Sequence, residues 1–182
     1  MLLRRISAAV GVAGLLALPA APAQAEPSQP DADYLKAAHQ VNLAEITMGR
    51  IAWTTSSDPT VKTLAAALMR DHIHLDADLY QTARQLRVYL PAAPTPEQQA
   101  LAKRYQAAGA DTFDEYFITT QLAAHRAALK MTAERAANGS EETVKELAAK
   151  AEPIIARHQT MLRDAARAEG LAGYVDAGGR QG

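Results

Sequence analysis

The chain has 182 residues, no cysteine and a formal net charge of −1, with 19 Lys and Arg against 20 Asp and Glu. Without cysteine there are no disulfides, no thiolate metal sites and no Cys nucleophile, so the fold must rest on its apolar core. The near-even charge balance lacks the concentrated basic face that nucleic acid demands.

The first 25 residues have the three parts of a secretory signal. Arg4 and Arg5 give a positive start, Ile6 to Leu18 form a short apolar run, and Ala23-Gln24-Ala25 offers the small residues of a cleavage site. That run is shorter than the roughly 20 residues a membrane-spanning helix needs. The expectation is therefore an exported chain (periplasmic, cell-envelope or extracellular), cut after Ala25, with no stable membrane insertion. Losing Arg4 and Arg5 makes the remainder more acidic.

Residues 26–30 read as a loose leader, and the bundle domain is expected over 31–169. The first helix is predicted from Asp31 to Ser56, because Leu35, Ala38, Val41, Glu45, Met48 and Ala52 fall at three- and four-residue steps. Asp58-Pro59 is an N-cap followed by proline at the first helical position, so a second helix starts there. Its stripe runs through Val61, Leu64, Ala65, Leu68, His72, Leu75, Leu79 and Leu86, and it ends before Pro91. The turn between the two is so short that they must be antiparallel neighbours.

Residues 88–110 contain Pro91, Pro94 and Pro96, with a short surface helix over 96–108 capped by Thr95-Pro96. A third long helix is predicted from an Asp111 cap to Ala137, stopped by Asn138-Gly139. Ser140 is the expected cap of the fourth, which carries Val144, Leu147, Ala151, Ile155, His158 and Leu162 and ends near Gly170. Pro153 lies inside it. Residues 170–182 form a glycine-rich tail. Two helical hairpins joined by one long crossover make an all-α, ferritin-like four-helix bundle the expected architecture.

Each long helix places one ionisable residue where a hydrophobe belongs: Glu45, His72, His125 and His158. Burying such groups costs free energy unless they are paired, hydrogen-bonded or bound to a cation. Three imidazoles and a carboxylate suit zinc, copper or iron. Counting from the hairpin turns puts Glu45 and His72 at one level. His158 lies five residues farther from Gly139 than His125 does, an offset of about 7 Å at 1.5 Å per residue. Asp71, Tyr116 and Gln121 are the residues expected around the cluster, Asp71 as a partner orienting a ring. His74 and His39 are expected at the surface, and the methionines in the core.

The segments Ala44-Glu45-x-x-x-Gly49, Met69-Arg70-Asp71-His72, Phe113-Asp114-x-x-Phe117, Ala124-His125 and Pro153-x4-His158 resemble the domain of unknown function 4142 family over roughly residues 31–168. The resemblance implies a ferritin-like fold and an envelope or extracellular address; some members carry an outer membrane protein label. It implies no activity. Di-iron ferritin-like proteins use Glu-x-x-His on two helices. Here Met69 precedes His72 and Ile155 precedes His158 where that motif has Glu, while Gln121 lies four residues before His125. Di-iron chemistry is therefore not expected. The leading expectation is a non-enzymatic exported bundle holding one transition metal ion. The alternative is an envelope or stress-related interaction module whose inner polar network binds no metal. Candidate partners are a second copy, through a face bearing Trp53, or an envelope protein.

Overall fold

The computed structural model describes residues 26–171 and 173; the expected signal peptide over residues 1–25 and most of the expected tail lie outside the described residues. Among the described residues the chain is all-α. Its helices are α1 (Gln29–Thr55), α2 (Pro59–Gln85), α3 (Pro96–Ala107), α4 (Ala110–Asn138) and α5 (Glu142–Ala168). None of them is long and apolar enough to cross a membrane.

Local chemistry explains most of the boundaries. Ser28 caps α1, three residues before Asp31, so the first helix reaches into the expected leader. Asp58 caps α2 through Oδ1, which accepts from the backbone N–H of Thr60 (2.7 Å) and Val61 (3.0 Å); such a cap contributes about 1 kcal/mol. Thr95 and Gln98 form a reciprocal capping box on α3. Two expected caps are not used. Gly109, not Asp111, precedes α4, and neither α4 nor α5 has a cap from its own N-cap side chain.

The start of α5 is held instead by Asp31, from the other end of the chain. Its Oδ2 accepts from the backbone N–H of Ser140 and Glu141, both at 2.9 Å, and its Oδ1 accepts from Arg135 Nη1 at 2.8 Å. The carboxylate is wholly buried and sits where a helix N-terminus favours negative charge. Burial pushes its pKa up, but the backbone N–H of Glu141, Ser28, the N–H of Ser140 and Arg135 outweigh this and hold it below the usual range.

The contacts give the helix directions. Between α1 and α2, His39 meets Asp76, Asn42 meets His72, and Gly49 lies against Ala65 and Met69, so one helix ascends as the other descends. Leu122 with Gln159 and Ala128 with Ala151 and Ile155 show the same for α4 and α5. Across the bundle, Asp31 with Arg135 and Met48 with Gln121 make α1 and α4 antiparallel. It follows that α2 and α4 run the same way, as the long crossover allows. Gly49 is placed where a Cβ would come within 3.0 Å of the Ala65 carbonyl oxygen and of Met69 Cβ, so this glycine permits the close approach of α1 and α2.

The short helix of the crossover is docked on the bundle, not lying free on its surface. Tyr105 is wholly buried and packs edge-on against Phe113, Tyr116 and Phe117, and its hydroxyl bonds to Thr120. Apolar packing falls into two main blocks. One surrounds Met48, Leu64, Leu68, Phe117, Leu122 and Leu162; the other surrounds Tyr34, Leu35, Leu79, Val144 and Leu147. Between them lies a polar layer.

Candidate metal centre

That layer is built from His72 on α2, His125 on α4 and His158 on α5, each no more than 2 % exposed. Their ring centroids are 5.3 to 5.7 Å apart. One nitrogen from each ring falls within 4.8 Å of one from each of the others. Each ring meets its neighbours because its helix stripe points inward at that level, with Leu68 and Leu75, Leu122 and Leu129, or Ile155 and Leu162 around it.

Every ring also has one nitrogen engaged by a neighbour. His72 Nδ1 lies 2.8 Å from Asn42 Oδ1, His125 Nδ1 lies 3.1 Å from the Gln121 carbonyl oxygen, and His158 Nε2 lies 3.0 Å from Asp71 Oδ2. The network assigns the tautomers. A backbone carbonyl only accepts, so His125 donates through Nδ1–H. The Asp71 carboxyl is held down to about 2: burial raises it, but His158, Arg70 and Arg157 outweigh that. It is thus an ionised acceptor, and His158 donates through Nε2–H. Asn42 Nδ2 donates to Asp76 Oδ1 at 3.3 Å, which turns its oxygen to His72 and makes His72 the donor through Nδ1–H.

The opposite nitrogens, His72 Nε2, His125 Nε2 and His158 Nδ1, are buried and have no hydrogen-bond partner among the described residues. All three imidazoles are held neutral. Burial is the main cause in each case: it lowers His72 well below its ordinary pKa, brings His125 to about 3, and lowers His158 against the opposing pull of Asp71. Three lone pairs without donors, on rings oriented from behind by two oxygens and a carboxylate, are what a divalent transition metal ion requires.

The remaining expected residues separate. Glu45 is buried, but it does not complete the three-nitrogen set; it lines a seam between α1, α3 and α4 with Gln98, Leu101, Ala124 and Ala127. Three residues along a helix is 300° of rotation, so when Asn42 faces α2, Glu45 is turned toward α4. Burial pushes its carboxyl up to about 8, against a lowering contact from Gln121, and Oε2 has no partner. Gln121 serves His125 through its backbone, while its side chain reaches Met48 Sδ at 3.4 Å. Tyr116 belongs to the aromatic cluster around Tyr105. Asp71 stands behind the His158 ring and accepts from its Nε2–H.

The level count reversed two placements. Side chains lean toward the N-terminus of their own helix, so in antiparallel α4 and α5 the His125 ring leans away from the Gly139 turn and the His158 ring leans back toward it. The offset counted along the backbone is closed by that tilt. His74 is exposed, as expected, whereas His39 is buried and bonds Asp76 Oδ1 at 2.7 Å. His39, Asp76 and Asn42 thus form a chain behind His72 that the sequence reading missed. A signal was present: His39, Asn42 and Asp76 fall at i, i+3 and i+4 steps from residues on the inward stripes.

The chain belongs to the family described as Domain of unknown function (DUF4142), which it matches over residues 16–165. Neither a curated protein nor a solved structure matches it.

Proposed function

We propose that the protein is an exported, ferritin-like helical bundle that binds one transition metal ion through His72 Nε2, His125 Nε2 and His158 Nδ1. The observation that carries this is the trio of buried imidazole nitrogens with no partner, each on a ring whose other nitrogen is committed to an acceptor. A purely structural network would use both nitrogens of each ring. Here the inward nitrogens lack donors, and an unsatisfied buried polar atom costs about 1–3 kcal/mol. A cation removes all three penalties at once.

The imidazole donors suit zinc, copper or iron. Asp71, Asn42 and the Gln121 carbonyl fix the rings from behind, and Asp71 adds negative charge beside the ion. Three protein ligands leave a position open, as in sites that take an exogenous ligand. Export is supported by the three-part signal at residues 1–25, and the ferritin-like reading by the two hairpins whose inner helices α2 and α4 run in parallel across a long crossover. The proposed role is binding, without catalysis by protein side chains.

The test is elemental analysis of the purified chain together with thermal unfolding in the presence of zinc, copper and iron(II). At a free-ion concentration of about 100 times Kd, binding adds about 2.7 kcal/mol. For a domain of this size that raises Tm by roughly 5–10 °C, and His125→Ala removes the shift. If no ion binds or stabilises the chain, and metal-free His72→Leu is as stable as the parent or more so, the polar layer is structural and the proposal is wrong.

A further inference from the structure

His72 is the ring whose proton depends on a side chain that can be turned over. His125 is met by a backbone carbonyl and His158 by a carboxylate, and neither of those groups can donate. Asn42 can. Its amide carries an acceptor on one arm and a donor on the other, and the two arms are nearly the same in shape. With the oxygen toward His72, the ring keeps its proton on Nδ1 and a lone pair on Nε2. Turned over, the amide presents an N–H to His72 Nδ1. The ring proton then moves to Nε2, and the lone pair a metal needs is gone.

What opposes the turn lies one step farther from the centre. Asp76 Oδ1, on α2, is 3.3 Å from Asn42 Nδ2. A carboxylate only accepts, so the turned amide would set its oxygen against Asp76 Oδ1 with no proton between them. The same oxygen lies 2.7 Å from His39 Nδ1, which must be the donor there. His39 and Asn42 are three residues apart on α1 and therefore share a face, which is how one carboxylate oxygen reaches both. The His39 and Asp76 side chains are only 10 % and 18 % exposed, so packing between α1 and α2 holds the arrangement in place.

We infer that Asp76, pinned by His39, is a positioning residue of the three-histidine centre: acting through Asn42, it decides which nitrogen of His72 carries the lone pair. Its effect on metal affinity rests on the metal reading above. Its effect on the tautomer does not, because that is a property of the metal-free chain.

The experiment labels the metal-free chain with ¹⁵N-histidine and uses long-range ¹H–¹⁵N NMR to tell the protonated from the bare nitrogen of His72. Zinc affinity is then measured by competition with a chelator. The parent is expected to show Nδ1–H. Asp76→Leu, which removes the acceptor, should move the proton at least in part to Nε2 and weaken zinc binding about tenfold or more. Asp76→Asn, which can meet Asn42 in either orientation, should do the same to a smaller degree, and stands in if Asp76→Leu does not fold by circular dichroism. The double variant Asn42→Asp with Asp76→Asn exchanges donor and acceptor and again leaves an acceptor-only group on His72. It should restore both the Nδ1–H tautomer and the zinc affinity. A His72 tautomer that stays Nδ1–H in both single variants overturns the inference. So does a double variant as impaired as Asp76→Leu, which would reduce Asp76 to a packing role, or a moved proton that leaves zinc affinity unchanged. If the tautomers shift and recover as expected but the parent binds no metal, the control of His72 by Asp76 is upheld and the metal reading alone is overturned.

Discussion

At the scale of single residues, the imidazoles are neutral because of where they sit, and oriented because of what sits behind them. Asp71 is the most consequential of the groups behind, since it holds His158 Nε2–H while also pairing with Arg157 Nη2 at 2.6 Å. Replacing such an orienting acceptor typically weakens metal affinity about 10- to 100-fold. Asp71→Asn is therefore expected to weaken zinc binding by that factor, measured by competition with a chelator of known affinity. An unchanged Kd would show that the rings are oriented without it. Asn42→Leu should act in the same direction by freeing the His72 Nδ1–H, with the added cost of breaking the link to Asp76.

At the scale of helices, the ends carry the information. Both α2 and α5 finish with a 6→1 backbone bond, Val88 N–H to the Ala83 carbonyl (2.8 Å) and Leu171 N–H to the Ala166 carbonyl (2.7 Å). This motif places one residue in the left-handed region. At the end of α5 it is Gly170 (φ 71°), but at the end of α2 it is Arg87 (φ 57°). A side chain there costs about 1 kcal/mol, so Arg87→Gly should raise the urea midpoint by a corresponding amount. A fall in the midpoint would mean that the Arg87 side chain contributes more than its backbone strain takes away. The Asp31 clamp is larger. Asp31→Asn leaves Arg135 without its buried counter-charge, and breaking such a pair costs about 3–5 kcal/mol. Urea unfolding of the metal-free variant measures it, and a loss below about 1 kcal/mol would show that the clamp is dispensable.

At the scale of the molecule, the buried groups set opposing pH dependences. The three histidines have folded pKa values below the unfolded value near 6.5, so the unfolded chain binds more protons and stability falls as pH drops below that value. Each contributes up to about 1.4 kcal/mol per pH unit. Glu45 acts in the other sense. Its folded pKa of about 8 exceeds its unfolded 4.5, so its contribution is complete below 4.5 and is lost as pH rises through 8. Asp31 and Asp71, with lowered values, add further acid lability only below about pH 4. Stability of the metal-free chain should therefore peak near pH 6.5, and Glu45→Gln should flatten the alkaline limb. Urea unfolding at pH 5, 6.5 and 8 tests this; a curve that is flat from 5 to 6.5 would contradict the buried neutral histidines.

Much of this architecture was legible along the chain, because Asp58-Pro59, Thr95-Pro96 and Asn138-Gly139 are local signals whose effect does not depend on the rest of the fold. The three histidines were legible for a similar reason: they interrupt apolar stripes. What escaped depends on contacts distant in sequence. Asp31 looks like an ordinary first-turn acid until α4 and α5 arrive, and Asn42 and His39 look like surface residues until Asp76 stands opposite. Glu45 was misplaced because counting residues gives height along a helix but not azimuth, and the tilt of side chains shifts even the height.

The polar layer spans almost the whole described chain, from Asn42 on α1 to His158 on α5. No two-helix fragment contains it, and Asp31 cannot secure α5 until residues 140 and 141 exist. Contacts this far apart in sequence form late in folding. On the proposed metal reading, an ion would be captured only once all four long helices have closed, and the metal acquired would be decided by the supply where the last of them closes.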